Sequence, residues 1–270
     1  MTAPASYDLA ALTHALGAAA CRFDIDLLSA CDSTNALLLA RAEAGAPSGS
    51  VVVAETQTAG RGRRGRAWLS APGESLTFSL LWRFAPGTSP AGLSLAVGVA
   101  VAQALEQAAS QKVGAGETAR TGIRLKWPND ILLDGKKLGG ILLELVPGAP
   151  HVAVIGIGIN LYLPGNLTDE VRTQAAALDE SSDRNRLLAT LLTHLLAVLE
   201  TFAAAGFTAL REDWLMRHAF QNQPVRLLSD FSPPRVGVCR GVAPDGALLL
   251  EIDGRIERIL SGELSLRPAP

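Results

Sequence analysis

Residues Val51–Ser70 read VVVAETQTAGRGRRGRAWLS. The β-branched run Val51–Val53 favours a buried strand. It feeds a segment holding three glycines (Gly60, Gly62, Gly65) and four arginines (Arg61, Arg63, Arg64, Arg66). Glycine lets backbone approach a ligand closely, and the guanidinium fork matches phosphate oxygens. A buried strand opening into a flexible cationic loop points to an anionic ligand, with phosphate the first candidate. Gly60-x-Gly62-x-x-Gly65 also spells the dinucleotide fingerprint, but that fingerprint opens a helix inside a βαβ unit. Here Arg66 leads instead to a turn at Pro72-Gly73, so a Rossmann unit is excluded. Arginine–glycine nucleic-acid tails are long and repetitive, whereas this is one loop between apolar strands. On these residues alone, a solvated charged turn stays open as the bland alternative.

The chain has 270 residues, 48% hydrophobic and 19% charged, with mean hydropathy +0.24. That supports a sizeable core and one large plus one small domain. A net charge of −2 makes the arginine loop a local feature rather than part of a general nucleic-acid surface. Cys21, Cys31 and Cys239 form no C-x-x-C and have no histidine cluster beside them. This predicts a reducing compartment, no structural zinc, and three small buried thiols. There is no cationic leader, and no apolar run reads as long enough to span a bilayer. A soluble cytoplasmic protein is expected.

Tyr7–Ala20 has a helical period and Arg22–Leu28 alternates as a strand. Asp32 or Ser33 caps a helix ending near Gly45; capping explains one of Ser33, Thr34 and Asn35, not all three. Glu74–Phe84 alternates as a strand. Ser89 and Pro90 start a helix from about Ala91 to Ser110, and Lys112–Gly122 reads as a surface connection. Two apolar strands then flank Lys126-Trp127-Pro128-Asn129-Asp130, where Pro128 breaks the ladder. Asp134-Gly135 makes a hairpin whose return strand carries Lys136, Lys137, Gly139 and Gly140. His151–Leu161 is another buried strand; Gly156 and Gly158 would weaken it unless something packs against them. A long connection with room for a short helix follows, then a strong helix over Asp183–Ala205 with a lone His194, and a short one over Phe207–His218. From Gln221, short β runs separated by Pro233-Pro234, Asp245-Gly246 and Asp253-Gly254 predict a small all-β meander or barrel.

Four clusters occur in order: Ser33-Thr34-Asn35; GRGRRG at Gly60–Gly65; Lys126-Trp-Pro-Asn-Asp130 with Lys137-Leu-Gly-Gly140; and Gly156-Ile-Gly-Ile-Asn160. Together they resemble biotin protein ligase (biotin–[acetyl-CoA-carboxylase] ligase), closely over about Asp26 to Leu161 and by architecture beyond. The resemblance implies an α+β fold of the class II synthetase-like kind. A central mixed β-sheet with flanking helices would form a catalytic biotin/ATP-binding domain over 1–220, followed by a C-terminal SH3-like β-barrel over 221–270. It implies ATP-dependent conversion of biotin to biotinyl-5′-AMP and pyrophosphate, with Mg²⁺ on the ATP phosphates. Transfer to one lysine of the biotin carboxyl carrier protein domain of acetyl-CoA carboxylase would follow.

That chemistry brings a carboxylate against a phosphate, so the site must cancel repulsion and stabilise developing charge. Arg61, Arg63, Arg64, Lys126 and Lys137 suit this. By resemblance the catalytic set is Lys137, Arg63, Lys126 and Asp130: Lys137 near the carboxylate and α-phosphate, Arg63 holding the adenylate. Asp130 would position a metal or accept the attacking lysine's proton. The neutral ureido ring needs donors and acceptors in an apolar pocket, which Ser33, Thr34 and Gln57 supply. Leaving such groups unpaired costs ~1–3 kcal/mol each, so the pocket rejects plain fatty acids. Asn35, Gly60, Arg61, Gly62, Arg63, Lys137 and Gly140 complete the biotin set. The nucleotide set is Arg63, Arg66, Trp68, Lys126, Asn129 and Asn160, with Trp68 stacking on adenine unless it is an ordinary core aromatic. A loop mobile when empty and ordered by ligand shields a mixed anhydride from water. Gly60–Arg66 is therefore expected to be poorly ordered without ligand.

Some members of the family carry an N-terminal helix-turn-helix domain. The residues before Ser33 are too few for one, so a short, ligase-only form without operator-type DNA binding or a membrane partner is expected; a homodimer is compatible. The nearest rival is a lipoate-protein ligase or octanoyltransferase of the same fold class. A rival of another class is a non-catalytic biotin-sensing or RNA-binding module. Lys137→Ala separates the last from an enzyme, because only an enzyme has turnover to lose.

Overall fold

A computed structural model describes residues 7–111, 122–165, 168–178, 183–229, 233–260 and 264–269. The stretch expected as a surface connection before Gly122 lies outside the described residues.

The valine run is the centre of the first sheet. Strands β1 (Asp24–Cys31), β2 (Ser50–Gln57), β3 (Ser75–Arg83), β4 (Ile123–Lys126), β5 (Asp130–Leu133), β6 (Lys136–Val146) and β7 (Ala149–Asn160) form it in the order β1-β2-β3-β7-β6-β5-β4. β1 and β2 run parallel and the other neighbours antiparallel, so the sheet is mixed. Alternation decides its faces. Val51, Val53, Leu76, Phe78, Leu80, Ile155, Ile157 and Ile159 join the main core, against helices α1 (Leu9–Leu16), α3 (Leu93–Ser110) and α5 (Arg184–Ala205). Val52, Leu81, Val152 and Val154 face the other way, against Leu38 and Ala42 of α2 (Thr34–Glu43). Helix α2 covers one end of that second face, and the site occupies the rest.

The chain then passes through α4 (Asp169–Gln174) and α6 (Arg211–Met216) into a second, antiparallel sheet. It comprises β8 (Pro224–Ser229), β9 (Arg235–Val242), β10 (Leu248–Ile252), β11 (Arg255–Ile259) and β12 (Leu264–Pro268), in the order β11-β10-β9-β8-β12.

Three local expectations need correcting. The third helix starts at Leu93 rather than Ala91, with Gly92 as N-cap in the left-handed region (φ 78°), because a Cβ there would meet Phe207 at 2.5 Å. Only Cys239 is a buried thiol; Cys31 is half-buried and Cys21 exposed. Leu93–Ser110 and Arg184–Ala205 are both long and apolar enough to cross a membrane. They pack on each other in this fold, however, with 61% and 56% of their apolar windows buried, which is the environment of core helices.

Candidate active site

The floor of the site is one row of directly opposed residues crossing five strands. Thr77 pairs with Gly158, Gly158 with Gly140, Gly140 with Asp130, and Asp130 with Lys126. Paired residues point to the same face, so the glycines leave a bare patch between a hydroxyl and an ion pair. Trp68 covers it. A Cβ on Gly158 would sit 2.4 Å from the indole carbons, and one on Gly140 would lie 3.9 Å from its edge. In the next row, a Cβ on Gly156 would come 2.2 Å from Asn35 Oδ1. Both glycines of the β7 strand are thus accounted for by side chains laid on them.

One end of the floor is lined by uncharged polar side chains, with the Glu144 carboxylate behind them. Ser33 caps α2 through its Oγ, which accepts from Ala36 N. Thr34 donates its N–H to Gln57 Oε1 at 2.8 Å. Ser79 Oγ lies 2.7 Å from Thr34 Oγ1 and 2.5 Å from Asn35 Oδ1. Asn35 Nδ2 donates to Leu142 O at 3.2 Å and Glu144 Oε2 at 2.8 Å. Capping therefore explains Ser33, and the next two residues build a fixed hydrogen-bonded wall; Asn35 has both ends of its amide engaged within the protein.

The arginine loop arches over the floor. Gly60 pairs with Trp68, its O accepting from Trp68 N at 2.9 Å, and Gly62 N donates to Arg66 O at 2.7 Å. Arg64 is left-handed at φ 61°. Arg61 reaches Glu144 Oε2 at 3.2 Å, and Arg63 donates to Asn129 Oδ1 at 3.0 Å. Asn129 in turn donates to Ile141 O at 2.8 Å. Both ties are partly exposed side-chain bonds, worth little each, so a ligand offering better partners can rearrange the loop.

At the other end Asp130 bridges two ammonium groups, Lys126 Nζ at 2.6 Å and Lys137 Nζ at 2.7 Å. Burial works to raise the Asp130 carboxyl, but the charges of Lys137 and Lys126 outweigh it and hold it below the usual range. Burial also pushes Lys126 down against the pull of Asp130, helped by Arg267 and Lys137. Arg63 is likewise lowered, mainly by burial, though a guanidinium stays charged. Asn160 Nδ2 donates to Ala176 O at 2.9 Å and Lys137 O at 3.4 Å, fastening the segment after α4 beside the site.

Most of these groups line a cavity of ≈ 1070 Å³, with Ser79 buried behind its wall. Every candidate named from the sequence lines it except Gly60, which lies in the loop's own base, where a Cβ would collide with Trp68 O at 2.5 Å. Gly60 thus has no room for a side chain. The cavity also takes in residues sequence reasoning missed, Arg226 and Arg267 of the second sheet. They are direct cross-strand partners on β8 and β12, a like-charge pairing that is unfavourable without an anion. Arg226 Nε is buried with no hydrogen-bond partner. Only the register reveals this pair.

The Biotin/lipoate A/B protein ligase family model matches residues 28–160, and the Biotin protein ligase C terminal domain model matches 221–267. The chain is 39% identical over 251 residues to the bifunctional ligase/repressor BirA of Escherichia coli, covering 91% of this chain and 74% of that one. It is 35% identical over 244 residues to the biotin--[acetyl-CoA-carboxylase] ligase of Mycobacterium tuberculosis, covering 89% and 88%. The chain belongs to the biotin protein ligase family. Its fold is similar to that of Aquifex aeolicus biotin protein ligase in complex with biotin and ATP, with a TM-score of 0.76 and 30% identity over 91% of this chain and 99% of that one. The central mixed sheet and the C-terminal antiparallel domain are those of the family.

Mg²⁺ would come to this site on the ATP phosphates rather than into a ready-made protein cage. Among the described residues no group of three His, Cys, Asp or Glu side chains could hold a metal. Without a ligand, both oxygens of Asp130 carry a lysine.

Proposed function

We propose that the protein is an ATP-dependent biotin–protein ligase that forms biotinyl-5′-AMP and passes the biotinyl group to a lysine of a biotin carboxyl carrier protein. The observation that carries this reading is the polarity gradient along a single cavity. One end is lined by the neutral side chains of Ser33, Thr34, Asn35 and Gln57, suited to an uncharged ureido ring. The other end is cationic, with Lys126, Lys137, Arg63 and, further out, Arg226 and Arg267. Trp68 lies between them.

In this reading the carboxylate oxygen attacks the α-phosphorus, and the bond to the β-phosphate oxygen breaks. Lys137 and Lys126 neutralise charge around that phosphorus. Asp130 keeps both ammonium groups gathered at one point until phosphate oxygens replace it, so their mutual repulsion is offset before the substrates meet. Arg226 and Arg267 take the departing pyrophosphate, the anion their pairing calls for. Trp68 offers a face to the adenine, and Arg61, Arg63 and Arg66 close over the anhydride. The neutral carrier amine then attacks the acyl carbon, the acyl–phosphate C–O bond breaks so that AMP leaves, and the amine's proton passes to solvent.

Two further assignments belong to this proposal. The catalytic domain spans 1–220 and the SH3-like domain 221–270, since β8 opens at Pro224. The working compartment is the reducing cytoplasm, in keeping with free thiols that include an exposed Cys21. The test is isotope exchange between ATP and pyrophosphate. The proposal expects exchange that depends on biotin; exchange driven by lipoate alone overturns it, and so does binding of biotin with no exchange at all.

A further inference from the structure

Lys126 sits in a short strand whose two neighbours are both fastened to the C-terminal part of the chain. On one side, Leu125 N donates to Arg217 O at 2.8 Å and Leu125 O accepts from Ala219 N at 2.9 Å, so the segment entering β8 pairs with β4. On the other side, Trp127 is fully buried, and its Nε1 donates to Gly246 O at 3.1 Å. Gly246 stands in the β9–β10 turn with φ 83°, and a Cβ there would lie 2.8 Å from Gly92 Cα and 3.1 Å from Leu95. The turn is therefore seated against the start of α3. It is braced internally by Gly246 N donating to Ala243 O and by Asp245 paired with Arg258. Beyond Trp127, Pro128 O accepts from Ser94 Oγ of α3 at 3.1 Å.

Trp127 is the wrong size and polarity for a simple filler. Its indole reaches across the boundary between the two sheets and places its one N–H on a backbone carbonyl that only a turn packed on Gly92 presents. We propose that Trp127 is a positioning residue: through its bond to Gly246, the C-terminal domain sets the position of Lys126 and hence the rate of adenylate formation. This rests on the ligase reading above and deepens it. The C-terminal domain then contributes to the reaction at a distance from its own cavity-lining arginines.

The test replaces Trp127 with Phe and, to keep ring size and shape, with β-(3-benzothienyl)alanine, which lacks the N–H. Both variants are followed by biotin-dependent pyrophosphate exchange and by the rate at which acetic anhydride labels Lys126 in the ligand-free protein. A misplaced reacting group costs up to ~100-fold, so a roughly 10- to 100-fold fall in kcat is expected, with KM for biotin unchanged. Lys126 should label faster, because its grip on Asp130 loosens. In a Lys126→Met background the benzothienyl replacement should cost nothing further, since its only route is through Lys126. Equal kcat in the benzothienyl variant, or a loss that adds fully to that of Lys126→Met, overturns the proposal while leaving the ligase reading intact. Absence of exchange in the unaltered protein overturns both, whereas an unchanged Lys126 labelling rate removes the positioning role whatever the enzyme does.

Discussion

Asp130→Asn probes the ion triad directly. The Lys126 and Asp130 side chains are 9% and 14% exposed and meet at 2.6 Å; Lys137, on the other carboxylate oxygen, is 45% exposed. Removing one partner of a buried pair strands the other charge, at a cost of about 3–5 kcal/mol. Lys137 can turn to water, so its share is small. The amide oxygen of Asn still accepts one bond from Lys126, which places the expected loss near the low end, about 3 kcal/mol. Urea unfolding at neutral pH should show a lower midpoint with an unchanged slope. The pH dependence fixes the cause. Lys126 is already depressed in the folded protein, and losing Asp130 depresses it further. Above its folded pKa and below the unfolded value near 10.4, the unfolded chain holds a proton that the folded one lacks. Stability therefore rises with pH in that window, and the variant should recover part of its deficit on the alkaline side, more than the parent gains. A loss under about 1 kcal/mol, or one that ignores alkaline pH, would refute the claim that Asp130 compensates a buried charge.

Gly158→Ala puts a methyl 2.4 Å from the Trp68 ring; overpacking of this kind costs ~1–3 kcal/mol. KM for ATP should rise roughly 5- to 150-fold with KM for biotin little changed, and exchange kinetics showing both unaltered would remove Trp68 from the nucleotide site. His218 is buried, stacked on Trp214 and close to Cys239, and burial pushes its pKa down to about 4. Its unfolded value is near 6.5, so the unfolded state binds the extra proton and stability falls as pH drops from about 6.5 to about 4. His218→Gln should flatten that slope in urea titrations, and an identical slope would contradict it.

How far the sequence carried can be judged residue by residue. The glycines of β7 were legible as sites of close approach because a strand has no other use for them. The capping Ser33, the Asp134-Gly135 hairpin (φ 50° and 79°) and the late all-β sheet followed from local chemistry in the same way. What stayed hidden depends on register or on contacts far apart in the chain. Ser79 looked like one more strand residue, yet it joins Thr34 to Asn35. Glu144 holds both the wall and the loop through Asn35 and Arg61. Arg226 and Arg267 are separated by forty residues of turns and strands, and only antiparallel pairing sets them side by side. Cys21 and Cys31 were expected inside on residue type alone; the 3₁₀ turn before β1 and the sheet-edge position of β1 leave them accessible.

The central claim is that one cavity joins a neutral recognition end to a cationic reaction end and delivers the product to an amine. Mass spectrometry of a biotin carboxyl carrier domain incubated with the protein, biotin and MgATP tests it most directly. The account predicts a single biotinyl addition on one lysine, dependent on both ATP and biotin and lost in Lys137→Ala; an unmodified carrier, or one modified only when lipoate replaces biotin, would contradict it.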